Sequence, residues 1–206
     1  QTTCIYNPLN KSEIIKKSKN KCGIKFNKKK LNIINVGRYT DQKDQMTLLK
    51  AVNLIKDKIN FKLLIVGRGL KKNSLINFIK LNNLNQNVQL INFTKNPFNL
   101  IRSSDLFILT SLYEGLPNVL LEALTLKKFI ISTDCPTGPK EILLNGRAGD
   151  LFKPGDYREL SKLIIRYKNN KHQEQKKIKI GYKNLDRFNF DKNLKKYFML
   201  IEKFLY

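Results

Sequence analysis

Cysteine and histidine are scarce in this chain of 206 residues. The three cysteines, Cys4, Cys22 and Cys135, are odd in number and lack metal-ligand spacing. A disulfide framework or a zinc site is therefore not expected, and a reduced, cytoplasmic setting fits. Cys135 reads as a small buried thiol, and the single histidine, His172, falls in a polar stretch and reads as exposed. No Asp-x-Asp pair occurs, so no metal site is expected. No apolar run approaches the roughly 20 residues of a membrane-spanning helix, and no signal peptide is visible. Acidic residues are also few, 16 against 40 Lys and Arg, which leaves a net charge of +24.

That charge is what a nucleic-acid binder often carries. However, 33 of the basic residues are lysine, scattered rather than striped, and no motif of a common DNA- or RNA-binding fold occurs. No nucleic-acid partner is expected. A basic module that binds polyanions without catalysis remains the rival class. The densest basic run, Lys16 to Lys30, reads as a solvated face. Contact with an anionic inner membrane surface stays open, since each juxtamembrane basic residue gains about 1 kcal/mol there.

Apolar residues make up 41% of the chain, enough for an ordinary core. From Leu31 to about Lys168, short apolar runs alternate with helical patterns, which predicts a parallel, doubly wound α/β sheet. Leu31 to Val36 reads as a strand with Gly37 opening its loop. A helix is expected next, with apolar positions at Leu48, Leu49, Val52, Ile55 and Ile59. Phe61 to Leu70 reads as a strand and a glycine turn; Gly67 and Gly69 lack the third glycine of a dinucleotide fingerprint. Residues 171 to 206 read as helices, with Leu194, Tyr197, Phe198, Ile201 and Leu205 at helical spacing. Ligands of such sheets sit at the carboxyl ends of the strands. Gly37-Arg38, Gly67 to Gly69, Asn92 to Thr94 and Glu114 to Asn118 all fall there.

The most informative segment runs from Asp105 to Leu124. Leu106 to Thr110 is a strand-length apolar run, Glu114-Gly115-Leu116-Pro117 is a turn, and Pro117 suits the first position of a helix. Such a helix start presents free N–H groups to an anion such as a diphosphate. Asn118 and Glu122 lie one turn apart on one face. A carboxylate beside an anion site is better suited to hydroxyls, as on a ribose or a hexose. By spacing alone, Glu114 and Glu122 could equally be an exposed turn residue and an exposed helix residue.

The Glu-x7-Glu pattern, with Gly-Leu-Pro after Glu114, resembles the signature of the family 4 retaining glycosyltransferases of GT-B fold. The resemblance extends to LNIINVGRYTDQKDQMTLLKA, to Asn87–Asp105 and to Phe129–Asp156, the last most like bacterial surface-polysaccharide members. It implies a Rossmann-like second domain of a GT-B enzyme acting in polysaccharide or lipopolysaccharide biosynthesis. Its roles would fall on Glu114 beside the donor sugar and Glu122 on the ribose. Arg38 and Lys43 would face the diphosphate, with Gly37 and Gly115, Leu116, Pro117 and Asn118 near sugar and phosphates. Asn92, Phe93 and Thr94 would lie near the base. Glu141 reads as structural or peripheral. A departing diphosphate needs fixed cations or a metal, and without an Asp-x-Asp motif the basic pair is the expected counter-charge.

The implied reaction moves a sugar from a nucleotide-sugar to a glycan or lipid-linked acceptor with retention. The nucleotide-sugar is a substrate, and no cofactor is expected. A GT-B epimerase or phosphorylase would share the fold. The resemblance divides the chain into an interdomain lead-in at residues 1–30, a nucleotide-sugar-binding domain at 31–170 and C-terminal helices at 171–206. The IYNP segment resembles the point where such enzymes enter their second domain. A first domain carrying the acceptor contacts is thus expected as a partner, and without it part of the last helix's apolar face is expected to be exposed.

Overall fold

The computed structural model describes residues 4–24 and 26–205, with side chains of the last helix described as far as Lys203. Gln1 to Thr3 and the Leu205 side chain lie outside the described residues.

Six strands form one parallel sheet: β1 (Leu31–Val36), β2 (Phe61–Gly67), β3 (Val88–Asn92), β4 (Leu106–Leu109), β5 (Phe129–Thr133) and β6 (Asp150–Phe152). Their order is β3-β2-β1-β4-β5-β6. The chain starts at the middle, winds outward through β2 and β3, then returns to lay β4 on the free side of β1. The carboxyl ends of β1 and β4 therefore flank the point where the winding reverses, and loops leaving them diverge to opposite faces. That divergence opens a crevice.

Both faces of the sheet are buried, and side chains alternate between them with the period of two that a strand imposes. Leu31, Ile33, Leu63, Ile65, Leu106, Ile108, Phe129 and Ile131 enter one core. Ile34, Leu64, Val66, Phe107, Leu109 and Ile130 enter the other. The first core is covered by α2 (Gln45–Asn53), α3 (Lys72–Leu81) and α7 (Tyr157–Asn169). The second is covered by α1 (Lys11–Ser18), α4 (Phe98–Ser103), α5 (Asn118–Thr125) and the short α6 (Pro139–Ile142).

Two local expectations shift. The helix after β1 ends at Asn53, so Ile55 and Ile59 reach the core from a following series of turns rather than from the helix. Pro117 is not the first helical residue but its N-cap, with φ −72° and ψ 98°, and the helix begins at Asn118. An extended N-cap is the usual geometry, and the missing N–H of proline is harmless there as well.

The remaining helices are α8 (Gln175–Asn184) and α9 (Phe190–Leu205), joined by a 3-10 turn at Leu185–Phe188. The lead-in segment docks on that turn: Leu9 N–H donates to Phe188 O at 2.8 Å, and Tyr6 lies 4.8 Å from the Phe188 ring. Phe198, Met199 and Ile201 on α9 remain exposed, as anticipated for part of that face. Beneath α7 and α8, the buried Asp150 carboxylate is held by Arg166 and by Lys177 at 2.5 Å. His172 is exposed and Cys135 buried, both as expected.

Candidate functional site

The loops after β1 and β2 are fitted to each other backbone to backbone. A Cβ at Gly67 would lie 2.0 Å from Gly37 O, so no other residue fits without moving the chain. A Cβ at Gly69, where φ is +153°, would lie 2.4 Å from Tyr39 O. The buried Tyr39 ring fastens this edge. Its hydroxyl reaches Ile65 O at 2.9 Å and Ile91 O at 2.8 Å, linking the loop after β1 to the ends of β2 and β3. The glycines thus serve a close loop junction, in line with a tight turn rather than a dinucleotide fingerprint.

A cavity of about 420 Å³ opens at this edge, lined by Gly37, Arg38, Arg68, Phe93, Thr94 and Glu122 among others. It gathers residues from three strand ends and from α5. Burial pushes the Glu122 carboxyl up to about 7. Arg68 stacks over the Phe93 ring at 4.8 Å, making a flat cationic and aromatic wall. Lys95, Phe98 and Glu122 also line a second groove, where they meet Asn118 and the α1 face. Asn92 stays outside the cavity; its side chain accepts from Lys72 Nζ at 3.1 Å.

Beside the cavity, at the crevice between β1 and β4, lies an ion pair. Lys43 Nζ sits 2.5 Å from Glu114 Oε1, with the two side chains only 16% and 7% exposed. Ser111 Oγ donates to the same carboxylate oxygen at 2.6 Å. The stem of Lys43 packs 3.5 Å from where a Cβ on Gly37 would stand, so Gly37 joins ion pair and cavity. Gln42 ties the two loops together: its amide donates to Tyr113 O at 3.1 Å and its carbonyl accepts from Leu112 N–H at 2.8 Å. Arg38 is exposed, and its guanidinium reaches Gln42 Oε1 at 3.4 Å.

Glu114 and Glu122 therefore stand in different surroundings. Glu114 is neutralised by Lys43, whereas Glu122 faces an apolar-sided cavity. Gly115 is open, with nothing within 4 Å of its Cβ position, while Pro117 is buried and Leu116 packs on the second core. Glu141 accepts from Tyr6 OH and Arg187, which makes it a clamp between the lead-in segment and the C-terminal turn, in keeping with a structural role. The residues the sequence did not single out are Arg68, Lys95, Phe98, Ser111 and Thr137. Their signal is tertiary. Among the described residues no group of three or more His, Cys, Asp or Glu could hold a metal, and no helix is long and apolar enough to cross a membrane.

This arrangement can receive an elongated anion with a flat end and hydroxyls along its length. Arg38, Arg68 and Lys95 supply cations, Glu122 a carboxylate and Phe93 an aromatic face. The chain is 48% identical over 111 residues to an uncharacterized glycosyltransferase of Methanocaldococcus jannaschii, an alignment covering 53% of this chain and 27% of that protein. It is 32% identical over 121 residues to the N-acetylgalactosamine-N,N'-diacetylbacillosaminyl-diphospho-undecaprenol 4-alpha-N-acetylgalactosaminyltransferase of Campylobacter jejuni, covering 59% of this chain and 33% of that one. The chain thus spans about a third or less of the length of these relatives. In fold it matches the Anabaena HepE crystal structure in complex with UDP and glucose, at TM-score 0.84 and 20% identity, over 98% of this chain and 56% of that one. The family model described as glycosyl transferases group 1 matches residues 16–184, and the chain belongs to that family.

Proposed function

We propose that this chain is the donor-binding half of a retaining glycosyltransferase that uses a nucleotide-sugar. One observation carries the reading. Gly37, Arg38, Phe93, Thr94 and Glu122 line one cavity of about 420 Å³ at the carboxyl edge of the sheet, next to the Lys43–Glu114 pair. The base would lie against the Phe93 wall, and Glu122 would accept hydrogen bonds from the ribose hydroxyls. The diphosphate would span Arg38, Lys43 and the free N–H groups at the start of α5. Glu114 would then orient the sugar.

In this mechanism the nucleoside diphosphate departs and the acceptor hydroxyl attacks the same face of the sugar. Charge developing on the leaving group is met by Arg38 and Lys43 as preorganised cations, with no metal required. The acceptor would be a glycan or lipid-linked sugar, in keeping with the undecaprenol-linked substrate in the name of the Campylobacter relative. Residues 31–170 would form the nucleotide-sugar domain, with residues 1–30 and the helices from 171 on meeting a first domain that holds the acceptor. The work would be done in the cytoplasm, with peripheral contact to the inner membrane face through the basic surface.

Transfer by this half alone is not expected. Positioning two substrates against each other supplies about 7–11 kcal/mol of barrier reduction, and one wall of a cleft cannot do that. Joined in one chain to an upstream acceptor-binding domain, residues 1–206 should support transfer. Robust transfer by residues 1–206 alone would overturn the division of labour.

A further inference from the structure

The turn bearing Glu114 is held from beneath by the end of β5. Thr133 Oγ1 donates to Ser111 O at 2.7 Å, and Ser111 Oγ in turn donates to the Glu114 carboxylate. Four residues later Thr137 Oγ1 donates to Glu114 O and lies 3.5 Å from Gly115 O. Gly138 presses on the next peptide, Gly115–Leu116: a Cβ there would stand 1.9 Å from Gly115 O and 2.6 Å from Pro117 Cδ. Both residues have left-handed backbone, Thr137 with φ +61° and Gly138 with φ +66°. Glycine adopts that conformation freely, but a β-branched residue does so rarely. A strained threonine persists only where surrounding structure over-determines it, and such outliers cluster at functional sites.

The strain has a visible return. With φ positive, the Thr137 hydroxyl turns back across the loop onto the Glu114 carbonyl. The backbone of Gly115 is thereby trapped between Gly138 on one side and open space on the other, where nothing lies within 4 Å of its Cβ position. The Gly115 backbone is thus held on its protein side and bare on its solvent side. That is how a backbone surface is arranged for a ligand rather than for packing.

We propose that Thr137 and Gly138 form a seat that fixes the two peptides on either side of Gly115, making Thr137 a positioning residue for the sugar end of the donor. The inference rests on the donor-binding reading of this cleft. Thr137 acts through the carbonyl of Glu114, the residue assigned to the sugar, so it governs the sugar end rather than the base or ribose.

The test is calorimetric titration of the full chain with UDP and with a panel of UDP-glucose, UDP-galactose and UDP-N-acetylglucosamine. Thr137→Val keeps the shape and removes the hydroxyl; Thr137→Ser keeps the hydroxyl. The valine variant should bind UDP within twofold of the parent yet lose at least fivefold affinity for the accepted sugar nucleotide, and serine should restore it. Equal weakening of UDP and sugar nucleotide, or serine behaving like valine, would reduce the loop to a structural element and overturn the proposal. UDP binding with no sugar nucleotide accepted would overturn it too, while leaving the nucleotide site standing. No binding of UDP by the parent chain would instead sink the donor-site reading on which it rests.

Discussion

Replacing Glu114 by glutamine should tighten the binding of a bare nucleoside diphosphate, even though Glu114 lies inside the site. In the free chain the carboxylate is the counter-ion of Lys43, at 2.5 Å, with both side chains largely shielded from water. An arriving diphosphate must share that ammonium with Glu114 and also feels its negative charge. For a phosphate about 6 Å from the carboxylate, Coulomb's law gives about 3 kcal/mol at an effective dielectric of about 20 and under 1 kcal/mol in bulk water. A half-open cleft lies between, at about 1–2 kcal/mol, or about 5- to 30-fold in affinity. Glutamine keeps the shape and can still accept from Ser111. The cost falls on the free protein, where Lys43 loses its partner; breaking a buried pair costs up to about 3–5 kcal/mol. The variant should therefore melt earlier without ligand and gain more from UDP than the parent does. Titration calorimetry at fixed ionic strength reads the affinity, and a thermal-shift series reads the stability. Lys43→Met should weaken UDP by about 1.5–3 kcal/mol, and adding Glu114→Gln to it should then change little, since the shared partner is gone. Unchanged or weaker UDP binding by Glu114→Gln alone would refute the reasoning.

Three further outcomes follow from the same coordinates. Glu122 has its folded pKa raised from 4.5 to about 7 by burial, so the folded state holds a proton that the unfolded chain has released. Relative to Glu122→Gln, the parent should lose stability as pH rises from about 4.5 to about 7, by about 2–3 kcal/mol in total, as read by urea melts across that range. Gly67→Ala should destabilise the chain by more than 2 kcal/mol or prevent its folding, because its Cβ would lie 2.0 Å from Gly37 O; a melt within 0.5 kcal/mol of the parent would contradict the close junction. Asp150→Ala should cost about 1–3 kcal/mol, since the partly exposed Arg166 and Lys177 lose their closest anion but keep Glu174, with UDP affinity unchanged.

The strands were legible because their signal is local. Leu31–Val36 and Phe61–Gly67 are apolar runs ended by glycine, and a sheet buried on both faces tolerates little else. The parallel, doubly wound class of the sheet followed from alternation of strand and helix; its strand order did not. Where local pattern and tertiary packing competed, packing prevailed: Ile55 and Ile59 keep helical spacing, yet the helix stops at Asn53 and they pack from turns. The candidate site was half legible. Gly37, Arg38, Phe93, Thr94 and Glu122 do line one cavity, but Asn92 turns away to Lys72. The contacts that hold the site were silent in sequence. Lys43 meets Glu114 across 71 residues and Thr137 meets Glu114 across 23. A threonine in a left-handed turn carries no local mark that it supports a glutamate in the turn after the neighbouring strand.

The central claim is that this edge of the sheet holds a nucleoside diphosphate through Arg38, Lys43 and Glu122 without a metal. Titration of UDP into the chain in excess chelator, with Glu122→Ala in parallel, tests it most directly. At pH 8, above the raised pKa of Glu122, chelator should leave binding intact and Glu122→Ala should weaken it by about 1.5–3 kcal/mol, the worth of hydrogen bonds to a charged group. Loss of binding in chelator, or a Glu122→Ala variant that binds UDP as the parent does, would contradict it.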